Sequence, residues 1–514
     1  MSSESDAPDP ASRYADAMHL LGIDLGTSGT KAIAIDGDGR VVAAATRGHP
    51  VSTPRPGWSE QDPESWWTST VDAVRAVLAV IPGGGESVAA IGLSGQMHGL
   101  VMIDEAGETL RPCILWNDQR SAPQCARVER ELGIPFLIEE IGNRWLPGFT
   151  APKILWCREN EPELERRART HLLPKDWLRF RMSGTRATEV SDASGTALFD
   201  CGRRTWSTRM AEAVGIDAAT LPSCAESWVP TAMVRPSAAA ALGIRAGTPI
   251  VGGAGDQAAA ALGSGIVREG AIGVTIGTSG VAFATCDAWR PAPRGEAHAF
   301  CHAVPGRWHL MGVMLSCGGS LRWYRDAMRF PAGDEGYEAI IAEAAASVAG
   351  ARGVTFLPYL SGERCPHPDP DARGAIVGLD GTHDRTDISR AIVEGITYGL
   401  KDNIELIRAL GVRVDEVRLA GGGARSAFWR QLCADIFATT VRVARSTGGE
   451  GGGALGVARL AGVGVGVWKT VDEACATTPD DLEDCTPRDA PAYAASYARF
   501  RATYPALASR TTTG

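Results

Sequence analysis

Residues 22–31, GIDLGTSGTK, and residues 271–281, AIGVTIGTSGV, contain two copies of one short motif. In both copies an apolar run that favours a β-strand leads into an identical GTSG, at residues 26–29 and 277–280. About half the chain separates them. A repeat at this distance predicts two related domains instead of a solenoid of short units.

The GTSG phrase has the composition of an anion-binding turn. Glycine accepts positive φ and lets a ligand approach the backbone, and a tight turn between strands presents N–H donors. One copy alone is more often an ordinary glycine hairpin. Two copies favour a polyphosphate, gripped from opposite sides if the two domains face each other. The candidate phosphate-binding residues are Thr27, Ser28, Gly277, Thr278 and Ser279.

The composition is that of a globular protein without a nucleic-acid or membrane partner. The 514 residues are 44% hydrophobic and 22% charged, with a net charge of −9 and no basic block. The 12 cysteines are scattered, no CxxC spacing occurs, and no secretory signal precedes them. This pattern predicts reduced thiols in a cytoplasmic protein. The apolar stretch at 454–468 is too short to span a bilayer.

Strands precede helices in both halves, which predicts an α/β core made by duplication. In the first half, two strands surround the first GTSG, DGDGR at 36–40 makes a hairpin, and Asp62-Pro63 begins a helix that continues to Leu78. In the second half we expect helices at 387–410 and 426–437 with a strand at 414–419 between them. The chain changes domain near residues 263–269.

The stretch VGGAGDQAAAALGSG, residues 251–265, contains the candidate base. Its glycine spacing matches a dinucleotide fingerprint, but Asp256 inside the loop would oppose a pyrophosphate and the second GSG ends the helix early. The alternative is that the glycines expose Asp256 at the mouth of a cleft, where it accepts a proton from a substrate hydroxyl. An N-cap aspartate is a structural interpretation compatible with this role.

Asp24 and the turn at residues 94–99 also suggest ligand contacts. Asp24 precedes the first GTSG and suits Mg²⁺ beside a triphosphate, although without a phosphate it is only a polar strand residue. The turn SGQMHG at 94–99 gathers hydrogen-bonding side chains, including Gln96 and His98, suited to a polyhydroxylated molecule; a lone histidine is more often structural.

The glycines Gly421, Gly422 and Gly423 join a strand to a helix and leave a flat backbone surface. An adenine or ribose would fit against such a surface, while a phosphate nest or a simple turn remains the alternative. A second glycine run at 451–453 favours the nucleoside.

Eight stretches of the sequence match motifs of a known family. They are WSEQDPESWW (58–67), GLSGQMHG (92–99), RPCILWNDQR (111–120), PGFTAPKILW (147–156), LLPKDWLRFRMSG (172–184), SDASGT (191–196), FLPYLSGER (356–364) and LAGGGARSAFWRQLCADI (419–436). With these motifs the chain, over residues 20–504, resembles the FGGY family of carbohydrate kinases. QMHG, PGFTAPK and LPKD resemble its bacterial xylulokinases more than its glycerol, gluconate or ribulose kinases.

The resemblance implies a fold and a set of roles. The fold is α/β, with two duplicated ribonuclease H-like domains of the actin, hexokinase and heat-shock ATPase superfamily flanking a central cleft. The implied division is a flexible extension (1–18), a sugar-binding domain (19–265), a nucleotide-binding domain (266–505) and a flexible tail (506–514). The implied site residues are Asp256 as catalytic base; Gln96, Met97, His98, Asp256 and Gln257 toward the sugar; Asp24 toward the metal; Thr27, Ser28, Gly277, Thr278, Ser279, Gly421, Gly422 and Gly423 toward ATP.

The resulting expectation is ATP- and Mg²⁺-dependent phosphorylation of D-xylulose at O5 by a cytoplasmic enzyme, with a homodimer common among such kinases. Two departures from the family pattern are Gln257, where some members have asparagine, and Cys365, where threonine is expected. The alternatives are an FGGY kinase for another ketose or polyol, such as ribulose or a pentitol, and a non-enzymatic ATP-binding protein of the same fold.

Overall fold

A computed structural model describes residues 18–444, 452–476 and 482–511. The extension predicted for residues 1–18 lies, apart from Met18, outside these ranges. Two compact units are present. Within the described ranges the first contains residues 18–267, 300–308 and 452–476, and the second contains 268–299, 309–444 and 482–511.

The strands within the described ranges are β1 (His19–Leu25), β2 (Gly29–Ile35), β3 (Val41–Gly48), β4 (Glu60–Gln61), β5 (Val88–Gly95), β6 (Val101–Ile103), β7 (Cys113–Ile114), β8 (Thr170–Leu172), β9 (Ala187–Glu189), β10 (Phe199–Asp200), β11 (Thr205–Trp206), β12 (Ser223–Ala225), β13 (Pro230–Met233), β14 (Pro249–Val251), β15 (Ala254–Gly255), β16 (Gly270–Ile276), β17 (Gly280–Cys286), β18 (His298–Cys301), β19 (Trp308–Met314), β20 (Thr355–Leu357), β21 (Ala375–Val377), β22 (Val414–Gly421), β23 (Thr440–Ala444) and β24 (Leu482–Cys485).

The helices within the same ranges are α1 (Pro63–Leu78), α2 (Ala122–Leu132), α3 (Ile134–Ile141), α4 (Thr150–Asn160), α5 (Pro162–Arg167), α6 (Pro174–Ser183), α7 (Val190–Ala193), α8 (Thr208–Val214), α9 (Pro236–Leu242), α10 (Asp256–Gly263), α11 (Gly318–Ala327), α12 (Asp334–Ala346), α13 (Arg385–Ala409), α14 (Ala427–Phe437), α15 (Gly452–Gly464), α16 (Val471–Ala476) and α17 (Ala490–Thr511).

The first large sheet has the strand order β13-β14-β5-β1-β2-β3, and β15 also pairs with β5. β1, β2 and β3 are antiparallel neighbours, whereas β5 runs parallel to β1, β14 and β15. The carboxyl ends of β1, β5 and β15 therefore meet at one edge of the sheet.

The second large sheet repeats this plan in the order β18-β19-β17-β16-β22-β23-β24. β16 pairs antiparallel with β17 and parallel with β22, as β1 does with β2 and β5. Each GTSG lies at the turn between the first two of these strands. The predicted duplicated α/β fold is confirmed.

Local sequence signals explain where several elements begin. The Asp62 carboxylate accepts the backbone N–H of Glu64 (3.0 Å) and Pro63 is the first residue of α1, so the predicted helix has the expected start and end. Asp384 is the N-cap of α13 and forms a capping box with Asp387. The helix begins at Arg385, two residues before the predicted start at 387. The hairpin between β2 and β3 is closed by the Asp36 carboxylate, which accepts the N–H groups of Asp38 and Arg40 (3.0 and 2.9 Å).

Helix α15 packs on the first sheet although in the chain it lies between β23 and β24 of the second sheet. The backbone of α15 approaches β1 and β5 where both strands have glycine. A Cβ at Gly22 would lie 1.9 Å from the Ala454 carbonyl oxygen, and one at Gly92 would lie 1.9 Å from that of Val457. The boundary at residue 265/266 remains a prediction, and the described part of 452–476 packs with the first unit.

The C-terminal segment predicted as a tail from residue 506 is helical as far as Thr511. The Tyr504 hydroxyl donates to the Asp369 carboxylate (2.5 Å), and its ring stacks on His367 at 4.2 Å. These contacts anchor the helix at Tyr504, directly before the segment expected to be a tail. Residues 512–514 lie outside the described residues.

We predict that Gly92→Ala strongly destabilises the protein, because the new Cβ would overlap the Val457 carbonyl at 1.9 Å and neither backbone can give way cheaply. The expected loss is about 3 kcal/mol, measured as a lower midpoint of urea unfolding. Gly37→Ala is the control, since a Cβ there meets nothing within 4 Å, and it should change stability by less than about 1 kcal/mol. Equal effects of the two substitutions would contradict the packing argument.

Candidate active site

Three turns of the first unit converge at one sheet edge. Asp24 near the end of β1 is in register with Ser94 on β5, and Ser94 is in register with Ala254 on β15. Asp256 begins α10 directly after β15. The pairing therefore brings together Asp24 and Asp256, which are distant in sequence, beside the SGQMHG turn.

Asp256 is half-buried and is the first residue of α10. Gly255 is the N-cap, so the N-cap role considered for Asp256 is off by one position. Burial, together with the negative charge of Asp24, raises the pKa of Asp256 to about 7, although hydrogen bonds from Gln257 act in the opposite direction. A carboxylate with a pKa near neutrality is suited to accept a proton at physiological pH.

Buried polar side chains fix the loop that carries Asp256. The Gly255 N–H donates to the Ser191 hydroxyl (3.1 Å). Arg179, which is fully buried, donates to the carbonyls of Val251 (3.0 Å) and Gly252. These contacts set the direction of the loop before Asp256.

The other end of the Asp256 helix is held by Arg459 of α15. Its guanidinium donates to the carbonyls of Leu262 (2.9 Å) and Gly263 (3.2 Å) at the C-terminus of α10. A cation at this end is favourable for the helix dipole and satisfies carbonyls that the helix leaves unpaired.

Asp24 has the surroundings of a metal-binding carboxylate. Its Oδ1 atom is buried with no hydrogen-bond donor among the described residues. Gly453 lies against its other oxygen, since a Cβ there would be 3.1 Å from Asp24 Oδ2. Burial raises the pKa of Asp24, whereas Ser94 and Lys31 act to lower it. A buried acceptor without a donor, beside a second carboxylate, fits Mg²⁺ that keeps most of its ligands as water and phosphate.

The first GTSG turn directs its carbonyl groups into the protein. His49 Nε2 donates to the Gly26 carbonyl (3.0 Å), and Gln61 Nε2 donates to the Thr27 carbonyl (2.7 Å). The backbone N–H of His49 donates to the Ser28 carbonyl (3.2 Å), and that of Gly26 donates to the Gly29 carbonyl (3.0 Å). Because N–H and C=O point in opposite directions in a peptide unit, the outer side of the turn presents N–H groups. The exposed Ser28 side chain adds a hydroxyl.

Gln96 supports this turn from inside the protein. Its Oε1 accepts the Thr27 hydroxyl (3.0 Å), and its Nε2 donates to Gln61 Oε1 (2.8 Å). The residue is 2% exposed. The amide therefore positions the turn, and the expected contact between Gln96 and a sugar stays a prediction. Thr27, whose hydroxyl also accepts from Trp116 Nε1 (3.0 Å), would contact phosphate through its backbone.

Met97 lies beside the loop that carries Asp256, and His98 follows it in the chain. The buried Met97 side chain packs on Gly255, where a Cβ would lie 2.9 Å from Met97 Cγ. His98 has φ +70°, a conformation that costs a non-glycine residue about 1–3 kcal/mol. Its Nδ1 lies 2.7 Å from the Gly195 carbonyl, which only accepts, so Nδ1 carries the proton and Nε2 of the neutral ring is an acceptor.

The second GTSG turn is braced by the start of α11. The Gly318 N–H donates to Gly277 O (2.7 Å), and the N–H groups of Cys317 and Gly319 donate to Thr278 O (3.0 and 2.9 Å). Thr278 and Ser279 are exposed. As in the first turn, the carbonyls face the protein and the donors face outward.

The glycines Gly421 to Gly423 adjoin this second turn. Ile276, the last residue of β16, is in register with Gly421 at the end of β22. Gly421 and Gly422 are exposed, and Gly423 is buried against Ile276. Glycines 452 and 453, which the sequence suggests as support for a nucleoside site, instead begin α15 in the first unit, and Gly451 lies outside the described residues.

Other classes of site are not found in the part of the chain that the structure describes. No group of three or more His, Cys, Asp and Glu side chains is arranged to hold a metal ion there. All twelve cysteines are free. Among the described helices, none combines the length and apolar character needed to cross a bilayer.

Three residues that fix the Asp256 loop and helix were not assigned a role from the sequence: Arg179, Ser191 and Arg459. The first two lie inside motifs that resemble the family. The available signal was a charged residue within an otherwise apolar helix, as for Arg459 in ALGVARLAGVG at 454–464. Such a residue must find a buried partner, but the sequence does not identify it.

Comparisons with known proteins agree with this geometry. Residues 19–263 match the N-terminal domain model of the FGGY family of carbohydrate kinases, and residues 273–465 match its C-terminal domain model. The xylulose kinase of Escherichia coli (strain K12) is 43% identical over 493 residues, covering 95% of this chain and 99% of that protein.

Two solved structures from Lactobacillus acidophilus share the fold over nearly their whole length. A ligand-bound xylulose kinase has a TM-score of 0.89 at 26% identity, with 97% of this chain and 99% of that one covered. A gluconate kinase has a TM-score of 0.90, also at 26% identity, with the same coverage. The shared fold alone therefore does not select the sugar.

The two α/β units are duplicated, a carboxylate whose pKa is near 7 lies at a sheet edge, and glycine turns present N–H groups. These features define a phosphotransferase with the actin and hexokinase fold. Within that class the matched models cover most of the chain. The chain belongs to the FGGY family of carbohydrate kinases, and the resemblance stated from its motifs is confirmed.

We predict that Asp256→Asn stabilises the ligand-free protein above pH 7. The pKa of Asp256 is about 7 in the folded state, against about 3.9 unfolded. The folded state therefore binds the proton more tightly, and this carboxylate lowers stability as pH rises from about 4 to 7. In EDTA, the Tm of the variant should exceed that of the parent by about 2 °C at pH 8 and by less at pH 5. Asp38→Asn, at an exposed carboxylate, should show no such pH-dependent difference.

Proposed function

We propose that this protein transfers the γ-phosphoryl group of ATP to O5 of D-xylulose, giving D-xylulose 5-phosphate and ADP. The observation that carries the chemistry is the carboxylate of Asp256, whose pKa is near 7, beside Asp24 at the edge of the first sheet. The choice of sugar is supported by the 43% identity to a xylulose kinase over 95% of the chain.

Asp256 is the proposed general base. It takes the proton from the 5-hydroxyl as that oxygen forms a bond to the γ-phosphorus and the bond from the γ-phosphorus to the β,γ-bridging oxygen breaks. General-base assistance of this kind contributes about 10²–10⁴-fold. His98 accepts a hydrogen bond from a sugar hydroxyl at Nε2. Met97 is proposed to contact the sugar beside His98, and its side chain packs on Gly255.

The glycine turns are proposed to bind phosphate through backbone N–H groups. Thr27 and Ser28 serve in the first unit, and Gly277, Thr278 and Ser279 in the second. Gly421 to Gly423 are proposed to lie against the nucleoside, which the exposed backbone of Gly421 and Gly422 supports. Asp24 would hold Mg²⁺, which, when bound, neutralises charge on the phosphates. Gln257 donates to Asp256 and so orients the base.

The alternatives are less well supported. Phosphorylation of another ketose or polyol is chemically equivalent, and the gluconate kinase of similar fold illustrates the point, but no comparison favours another sugar for this chain. A non-enzymatic ATP-binding protein would have no use for a half-buried carboxylate with a raised pKa.

Location and assembly follow from the same proposal. We propose a cytoplasmic enzyme, which its twelve free cysteines and its use of ATP support. We also propose a homodimer on the basis of the family, and light scattering of the purified protein would report its mass.

Asp256→Asn should reduce turnover with D-xylulose by about 10²–10⁴-fold, because the base is lost while the turns that bind ATP remain. A coupled assay of ADP release measures turnover, and calorimetry should show nearly unchanged ADP affinity. For the parent, kcat/KM should fall as pH decreases below about 7, where Asp256 becomes protonated. A near-normal rate of the variant would remove Asp256 from the role of base.

The same assay with a panel of sugars decides the substrate. Release of ADP should be fastest with D-xylulose and slow without sugar. A higher rate with ribulose, gluconate or a pentitol would replace D-xylulose as the substrate, and ADP release independent of any sugar would favour the non-enzymatic alternative.

Asp24→Asn should raise the Mg²⁺ concentration needed for half-maximal activity by about tenfold or more. Removing even a residue that only supports the metal ligands weakens metal affinity by about tenfold or more. It should also move the acid limb of the pH profile to lower pH, because the negative charge that raises the pKa of Asp256 is gone. The exposed Asp38→Asn serves as control. An unchanged Mg²⁺ requirement would argue against a metal role for Asp24.

A further inference from the structure

His98 is held in its left-handed conformation through its carbonyl group. The carbonyl oxygen of His98 accepts hydrogen bonds from Lys153 Nζ (2.8 Å) and from the Thr150 hydroxyl (3.0 Å). Its ring stacks on Phe149 with centroids 4.8 Å apart. A peptide with φ +70° at a non-glycine residue persists only where its surroundings impose it, and these contacts supply that constraint.

Lys153 is an unusual group to find at this place. It is fully buried, and its ammonium donates to two backbone carbonyls, those of His98 and Gly148 (2.6 Å). Within the described residues its ammonium forms no ion pair with a carboxylate. Burial correspondingly lowers the pKa of Lys153 to about 7. Desolvating an ammonium is expensive, so a lysine here is better explained by the backbone geometry that it fixes.

The start of α4 places both donors on one carbonyl. Thr150 is the first residue of α4 and Lys153 is three residues later, so the two side chains share a helix face. Side chains of a helix lean toward its N-terminus, and this brings both toward the SGQMHG turn. The motif PGFTAPK at 147–153 thus supplies the helix start, both donors and, in Phe149, the ring beneath His98.

The tight fit around the imidazole makes its orientation depend on the peptide. A Cβ at Gly195 would lie 2.4 Å from His98 Nδ1, so there is no room for the ring to shift in that direction. If the His98 peptide relaxed to negative φ, the ring would leave both Gly195 and Phe149. The acceptor that the proposed function assigns to the sugar hydroxyl would move with it.

We propose that Lys153, assisted by Thr150, is the positioning residue that holds the His98 peptide so that its imidazole can bind the sugar. This inference rests on the proposed function, in which His98 contacts the sugar. It assigns Lys153 no contact with substrate and no proton transfer. The affected quantity is therefore sugar binding, with nucleotide binding left intact.

The test is a double-mutant cycle of Lys153→Met and His98→Ala, with KM measured for D-xylulose and for ATP. Lys153→Met should raise the KM for D-xylulose by about tenfold, as expected for a lost hydrogen bond to a charged donor, and leave the KM for ATP within about twofold. In the His98→Ala background, adding Lys153→Met should raise the sugar KM by less than about twofold, since the residue that it positions is already gone.

Thr150→Val tests the same carbonyl in a protein that keeps the buried ammonium. It should raise the KM for D-xylulose by about threefold. The matched control is Thr70→Val, because Thr70 is also buried in the first unit and its hydroxyl has no hydrogen-bond partner among the described residues. This control should leave both KM values unchanged. If Lys153→Met fails to fold, the comparison of Thr150→Val with Thr70→Val still tests the proposal.

Four outcomes would overturn the inference. Additive effects of Lys153→Met and His98→Ala would show that Lys153 does not act through His98, and parallel increases in both KM values would indicate a general structural role. A Thr150→Val variant identical to Thr70→Val would remove the carbonyl contact from the explanation. If His98→Ala itself leaves the sugar KM unchanged, the assignment of His98 in the proposed function fails as well, which distinguishes that failure from a failure confined to Lys153.

Discussion

The parallel pairing of β5 with β1 on one side and with β15 on the other is the constraint on which the site depends. It brings Asp24, the SGQMHG turn and Asp256 to one edge, although more than two hundred residues separate the first from the last. Helix α15 secures the arrangement, because glycines at 22 and 92 let its backbone lie directly on β1 and β5. The same approach puts Gly453 beside Asp24, so the packing of the core and the surroundings of the carboxylate proposed to bind Mg²⁺ have one cause.

Charge is distributed around this edge in a way that preserves a base. The buried cations Arg179, Arg459 and Lys153 donate to backbone carbonyls. Had one of them paired with Asp256, the pKa of that carboxylate would fall and it would accept a proton poorly. Lys175 shows the contrast: it is buried in the same unit and pairs with Asp176 (2.6 Å) and Asp192 (3.1 Å). The cations near the Asp256 loop thus supply rigidity, and burial, together with the negative charge of Asp24, raises the pKa of Asp256.

The features predicted from the sequence are those that depend on neighbouring residues. The Asp62-Pro63 helix start, the hairpin at 36–40 and the two GTSG turns each follow from a few adjacent side chains, and the duplication follows from comparing them. The unpredicted features require knowledge of distant packing. Gln96 lies in a motif typical of ligand contact, and no local pattern indicates that its amide bonds Thr27 and Gln61. Likewise, α15 joins the first unit through contacts that no local pattern indicates.

These inward contacts narrow how a sugar can be recognised. Of the polar side chains in the SGQMHG turn, Gln96 bonds Thr27 and Gln61, and the His98 ring is fixed through Nδ1 by the Gly195 carbonyl, with Nε2 proposed to face the sugar. Phe149 and Phe300 lie 4.8 and 6.1 Å from that ring and provide apolar surface. A site of this kind rejects a ligand lacking the hydroxyl at His98 more strongly than one carrying an extra methylene, because an unpaired buried acceptor costs more than a poor apolar contact. Under the proposed function, the orientation of one imidazole therefore controls selectivity between sugars more than the size of the pocket does.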